Sequence, residues 1–171
     1  VSQRELTPSY GWAIVAAMLL IQTVSSGLGF YNMSVYIGEF SKALEVPVAS
    51  ASFAVSLFFI AGGVSGMWIA DLLNRIHVRY IMVTGACLGG LALGLLTYTE
   101  ELWQLYALFA LFGFGNAGVS LVVATTLITQ WFTGSNRSIA LSTASTGLSL
   151  GGVLLTPLSA YWINDWGLFA T

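Results

Sequence analysis

The positions of the charged residues limit this chain more than any other feature. Its five basic and seven acidic residues fall at Arg4–Glu5, Glu39–Glu45, Asp71–Arg79, Glu100–Glu101, Arg137 and Asp165. Between them, residues 6–38, 46–70, 80–99, 102–136 and 138–164 carry no charge. A helix crossing ~30 Å of hydrocarbon needs about 20 apolar residues. Each stretch is long enough for one crossing, and none holds two crossings and a turn. The pattern predicts an all-α integral membrane helical bundle with spans near 10–37, 47–71, 79–99, 103–131 and 138–163, in one unit covering 1–171. Unbroken helices satisfy their own backbone in lipid, whereas a barrel would need an alternating pattern that these runs lack.

Composition supports lipid as the solvent. Apolar residues make up 57% and charged residues 7%, against about 25% charged in a soluble domain. A net charge of −2 gives no electrostatic basis for nucleic-acid binding. The single Cys87 excludes an internal disulfide and multi-cysteine metal motifs, and its apolar neighbours point to packing. No catalytic constellation, metal cage or cofactor motif is visible, so no enzyme is expected. The first apolar stretch is too long for the core of a cleavable signal and lacks basic residues before it beyond Arg4.

Polar turns at Glu39–Pro47, Asp71–Arg79, Glu100–Glu101 and Thr133–Arg137 separate the spans and are short enough to make neighbours antiparallel. With the N-terminus in the cytoplasm, Arg4, Arg75, Arg79 and Arg137 lie inside and only Lys42 outside, as the positive-inside rule prefers. Trp12, Trp103, Trp131, Trp162 and Trp166 fall near predicted span ends, where interfacial indoles belong. The glycine pairs 62/66, 85/89, 90/94 and 147/151 are spaced for close helix packing. Gly27, Gly29 and Ser34 in span one repeat the spacing of Gly113, Gly115 and Ser120 in span four, as an inverted repeat of three spans would.

The turn after span two reads Gly66-Met-Trp-Ile-Ala70-Asp71-Leu-Leu-Asn74-Arg75-Ile-His77-Val-Arg79. It resembles the loop signature of the major facilitator superfamily, with Asp71 and Arg75 where that family has its acid and base. Asn74 stands where glycine is usual. Trp131-Phe132, followed by Arg137, Ala140, Ser142, Gly147 and Gly151, looks like the opening of span five in the monocarboxylate-porter and oxalate/formate-antiporter-like branch. Tyr10-Gly11-Trp12-Ala13 and the run Gly29 to Val55 are similar to that branch too.

The resemblance implies twelve helices in two six-helix halves around a central cavity that opens alternately to each side. This chain would supply spans one to five; span six and the second half would lie beyond it. It further implies that spans one, four and five contribute to the cavity wall. The residues expected to face substrate are Tyr31, Asn32, Asn116, Ser120 and Ser145, with Gln22, Ser25, Ser26, Thr125, Ser142 and Ser149 as further polar candidates. Asp71, Arg75 and Arg79 are the expected gating loop, and Arg137 a cytoplasmic anchor. His77 reads as a solvated loop residue.

An ionisable residue deep in a span marks function, and here none lies well inside any span. Phe109 stands about where drug-antiporter relatives carry Arg. Phe30-Tyr31-Asn32 occupies the region where some monocarboxylate carriers have Lys, and Ser120 stands where that branch often has Tyr. The main cationic partner of an anionic substrate is therefore expected outside this chain. The reading is a plasma-membrane carrier for a small organic anion such as a monocarboxylate. Its partners would be the bilayer, the substrate and the second half of the same transporter. The alternatives are a carrier of a neutral or amphipathic solute and a non-transporting membrane interaction protein.

Overall fold

The computed structural model describes residues 8–132 and 135–166. Span one comprises α1 (Pro8–Ser25), a π-helical turn (Ser26–Tyr31) and α2 (Met33–Ala43). Span two is α3 (Val48–Leu72). Span three is α4 (Val78–Leu95), closed by a 3-10 turn at Leu96–Tyr98. Span four divides into α5 (Leu102–Ala117) and α6 (Leu121–Trp131), and span five is α7 (Ser135–Trp166). No strand occurs among the described residues. Tyr10–Tyr31, Val48–Leu72, Val78–Tyr98, Leu102–Trp131 and Asn136–Trp162 are each long and apolar enough to cross a bilayer. The chain is an integral membrane helical bundle.

The helix boundaries have local causes. Pro8 sits in the first turn of α1, where its missing N–H is not needed. Pro47 precedes α3 in an extended conformation. The turn before it places Glu45 at φ 52° and is tied by the Ser41 hydroxyl donating to Val46 O at 2.7 Å. At the start of α5, Gln104 Oε1 accepts from the backbone N–H of Glu100 at 3.0 Å and of Glu101 at 3.4 Å. Those N–H groups would otherwise have no helical partner.

Spans one and four are interrupted, which corrects the expectation of five unbroken helices. Asn32 N–H donates to Gly27 O at 3.2 Å, one residue further back than an α-helix allows. Gly118, Val119 and Ser120 leave the helix altogether. The cause is close packing around these glycines. A Cβ on Gly115 would lie 2.5 Å from Gly89 N and 2.8 Å from Gly85 O, and one on Gly118 would lie 2.9 Å from Gly85 Cα. A Cβ on Gly27 would meet Leu155 and Gly151 O at 2.8 Å. Gly27/Gly113, Gly29/Gly115 and Ser34/Ser120 are each 86 positions apart. The two irregularities are adjacent in that register rather than superimposed: the π-helical turn maps onto the end of α5, and the gap of span four maps onto Asn32 and the start of α2.

Packing pairs α1 with α7, and α5 with both α3 and α4. Met33, Phe40, Phe58, Leu105, Phe109 and Phe112 fill the core at one end of the bundle. Val15, Met18, Ala124, Ile128, Ala140 and Ala144 fill it at the other. Phe109 is buried in the first cluster, so the position that resembles an arginine site is a packing position here. Of the spaced glycine pairs, Gly85/Gly89 and Gly147/Gly151 lie at close helix contacts, whereas Gly66, Gly90 and Gly94 face open space.

Candidate transport site at the two helix interruptions

The interruptions bring spans one, four and five together through polar side chains. Gln22, only 2% exposed, points from α1 at the gap between α5 and α6. With its amide oriented to suit both neighbours, its nitrogen donates to Val119 O at 3.0 Å and its oxygen accepts from Leu121 N–H at 3.3 Å. One turn on, Ser25 Oγ donates to Asn116 Oδ1 at 2.6 Å. Ser26 Oγ donates to Leu148 O on α7 at 2.9 Å. Asn32 is fully buried, and its amide nitrogen donates to Ser159 Oγ at 2.6 Å. No donor reaches Asn32 Oδ1 among the described residues. A buried amide in lipid needs such partners, because an unmade hydrogen bond there is costly.

The expected cavity residues therefore occupy distinct environments. Tyr31 is 43% exposed; a Cβ on Gly152 of α7 would lie 2.9 Å from its ring. Phe30 stacks edge-on against both Tyr31 and Phe59, at 5.9 and 5.5 Å between ring centroids. Ser120 lies in the gap of span four, half-buried, with an extended backbone (ψ 168°). Asn116 is half-buried against span one, and Ser145 is half-buried on α7. Ser142 and Ser149 are exposed on the same helix. Polar side chains exposed at membrane depth face a cavity or a neighbour rather than lipid.

The loop residues are not drawn together. Asp71, Arg75, Arg79 and Arg137 are all exposed, and Lys42–Glu39 at 2.9 Å is the one ion pair among the described residues. Other sequence-marked residues do meet. Tyr10 packs on Trp131 with centroids 5.1 Å apart, Trp12 lies edge-on to Phe132 at 5.5 Å, and Gly11 admits the Phe132 ring. The two separate stretches that resemble the porter branch are thus one contact.

Sequence reasoning did not single out Ser159, Phe30 or Phe59. Ser159 could have been reached by extending the face of Ser145, Ser149 and Gly152 two turns along α7. Phe30 and Phe59 carried no polar signal that separates them from core aromatics.

The bundle and its interrupted, polar-lined spans define a polytopic membrane protein of the kind that builds internal sites where helices break. A family model described as Major Facilitator Superfamily matches residues 19–171, and the chain belongs to that superfamily. It is 27% identical over 155 residues to "Probable transporter MCH2" of Saccharomyces cerevisiae, covering 85% of this chain and 31% of that protein. To "Monocarboxylate transporter 1" of Homo sapiens it is 23% identical over 161 residues, covering 92% and 31%. To "Probable anion transporter 4, chloroplastic" of Arabidopsis thaliana it is 30% identical over 157 residues, covering 91% and 29%. The chain spans about a third of the length of these curated relatives. All three are transporters by name, not enzymes.

Proposed function

We propose that this chain is most of the first half of a secondary active transporter that moves a small organic anion, such as a monocarboxylate, by alternating access. The observation that carries the reading is the polar contact of spans one and four beside their interruptions, Gln22 on the gap around Ser120 and Ser25 on Asn116. Discontinuous helices supply exposed backbone and polar groups at membrane depth, where a solute must be held. The anion class comes from the names of the relatives. Lys42, Arg79 and Arg137 stand in the end turns of their helices and no cation lies well inside a span, so the charge on the anion is met in the second half of the transporter.

The 86-residue repeat supports the view that a further span belongs to this half. Span four packs on span three through Gly115, Gly118, Gly85 and Gly89. The matching glycine of span one, Gly29, meets Phe112 and Asn116 instead. Beside it runs a groove of about 390 Å³ between spans one and three, lined by Leu20, Val24, Leu28, Ala86 and Gly90. A helix seated there would be to span one what span three is to span four.

One observation favours a second reading, a neutral or amphipathic solute. The exposed Phe30, Tyr31 and Phe59 rings offer an apolar surface without a charge beside it. The test is uptake by the full-length carrier in proteoliposomes. Saturable uptake of a labelled monocarboxylate, competed by unlabelled substrate, is expected. Uptake of a neutral solute alone would select the second reading, and no uptake of either would remove both. Asp71→Asn and Arg75→Ala are each expected to slow uptake at least several-fold with no loss of protein from the membrane. Unchanged rates would end the gating role for this loop.

We place the N-terminus in the cytoplasm on the distribution of basic residues alone, and propose the plasma membrane as the carrier's location. In a full-length carrier with Cys87→Ser and every cysteine outside residues 1–171 replaced by serine, Lys42→Cys is expected to react with an impermeant maleimide on intact cells. Arg79→Cys and Arg137→Cys are expected to react only after permeabilisation, and the reverse pattern would invert the topology.

A further inference from the structure

We infer that Gln22 is a positioning residue that holds span four open around Ser120. Its amide grips the two backbone groups on either side of that serine, Val119 O and Leu121 N–H. Both are left without a helical partner by the interruption. The N–H of Leu121 belongs to the first residue of α6, and the side chain of Ser120 makes no cap to that helix. The backbone of Ser120 itself is held by the two flanking helices: its N–H donates to Ala117 O at 3.3 Å, and its carbonyl accepts from Ala124 N–H at 3.1 Å.

Span one thus supplies what span four lacks. An amide fits because one group carries both a donor and an acceptor, spaced to match a C=O and an N–H separated by one residue. Burying such backbone groups unpaired costs about 1–3 kcal/mol each. Without Gln22, α5 and α6 gain from joining by their own hydrogen bonds, which would carry Ser120 to a new position. The span-one interruption is held differently: Asn32 ties it to Ser159 on span five. Each broken span is thereby fastened to a different neighbour. A shift of span one against span four must release or carry the Gln22 contacts.

The role in transport rests on the carrier reading above; the role in placing Ser120 does not. The test uses the full-length carrier with Cys87→Ser, every cysteine outside residues 1–171 replaced by serine, and Ser120→Cys, and follows disulfide exchange with 4,4′-dithiodipyridine, which reacts at acid pH. Gln22→Met keeps the volume and removes both bonds. Gln22→Glu keeps both while its carboxyl is protonated, and when ionised it cannot donate to Val119 O. At pH 4 the Gln22→Met exchange rate is expected to differ from the parent rate at least tenfold, with Gln22→Glu within twofold of the parent. A Gln22→Met rate within twofold of the parent would overturn the inference, and so would a Gln22→Glu rate as altered as that of Gln22→Met. Where Gln22→Met does not assemble, Gln22→Glu is compared with the parent at pH 4 and pH 9: a rate within twofold of the parent at pH 4 and at least fivefold different at pH 9 is expected, and a ratio to the parent unchanged between the two would overturn the inference. Kinetics of the Gln22 variants with Ser120 intact supply the functional readout: Gln22→Met is expected to raise KM at least fivefold, and an unchanged KM would limit Gln22 to structure. A parent carrier without uptake but with these exchange rates would sink the carrier reading and leave the positioning of Ser120 intact.

Discussion

Gly115→Ala is expected to destabilise the bundle by about 1–3 kcal/mol, the range for forcing an extra group into a filled interior. The upper end is expected, because what the new Cβ meets is the backbone N and Cα of Gly89 and the carbonyl of Gly85. Backbone cannot rotate away as a side-chain tip can. Gly151→Ala is expected to behave alike, since its Cβ would meet Thr23 O, Ser26 Oγ and Gly27 N. Gly94→Ala is the control: nothing lies within 4 Å of its added Cβ, and replacing glycine by alanine in a helix gains up to ~1 kcal/mol. Unfolding of the full-length carrier in mixed micelles, titrated with a denaturing detergent, ranks the three. Equal midpoints for Gly115→Ala and Gly94→Ala would show that spans three and four do not meet as described.

Asn32→Ala is expected to cost about 0.5–1.5 kcal/mol in the same titration, the net worth of a hydrogen bond whose remaining partner, Ser159, is only half-buried. The lost contact is the 2.6 Å bond to Ser159, which fastens the lower edge of the π-helical turn to span five. A double-mutant cycle with Ser159→Ala isolates that bond. Hydrogen bonds between membrane helices couple by about 0.6 kcal/mol on average and about 1.7 at most. A value toward the upper end is expected because Asn32 has no solvent exposure. Strict additivity of the two substitutions would remove the bond from the description.

Much of the fold is legible in the placement of charge. A span must be uncharged and long, and both properties are visible one residue at a time. The equal spacing of Gly27–Ser34 and Gly113–Ser120 also carried information. What it could not reveal was the interruption itself. Gly118-Val119-Ser120 contains no proline, and α6 resumes with Leu-Val-Val-Ala as any span would. The break depends on how closely span three approaches and on an amide from residue 22, both long-range facts. The same limit applies to the site. Tyr31, Asn32 and Asn116 stand out because polar groups are rare in spans. Their partners Ser25 and Ser159 are hydroxyls, which in a helix more often bond their own backbone, as Thr23, Thr84, Thr143 and Thr146 do here.

The pairing of spans also has a consequence for biosynthesis. Span one packs on span five, and span two on span four. Of the hairpins that the short turns create, spans three and four pack closely, whereas span one finds its main partner only in span five. Gly27 must wait for Gly151, 124 residues later in the chain, which at ~5–20 residues per second is roughly 6–25 s of synthesis. During that interval Gln22, Ser26 and Asn32 sit in the bilayer or its insertion machinery without their permanent partners. Span one must be apolar enough elsewhere to tolerate this, and it is the last-made helix described here that completes the environment of the first.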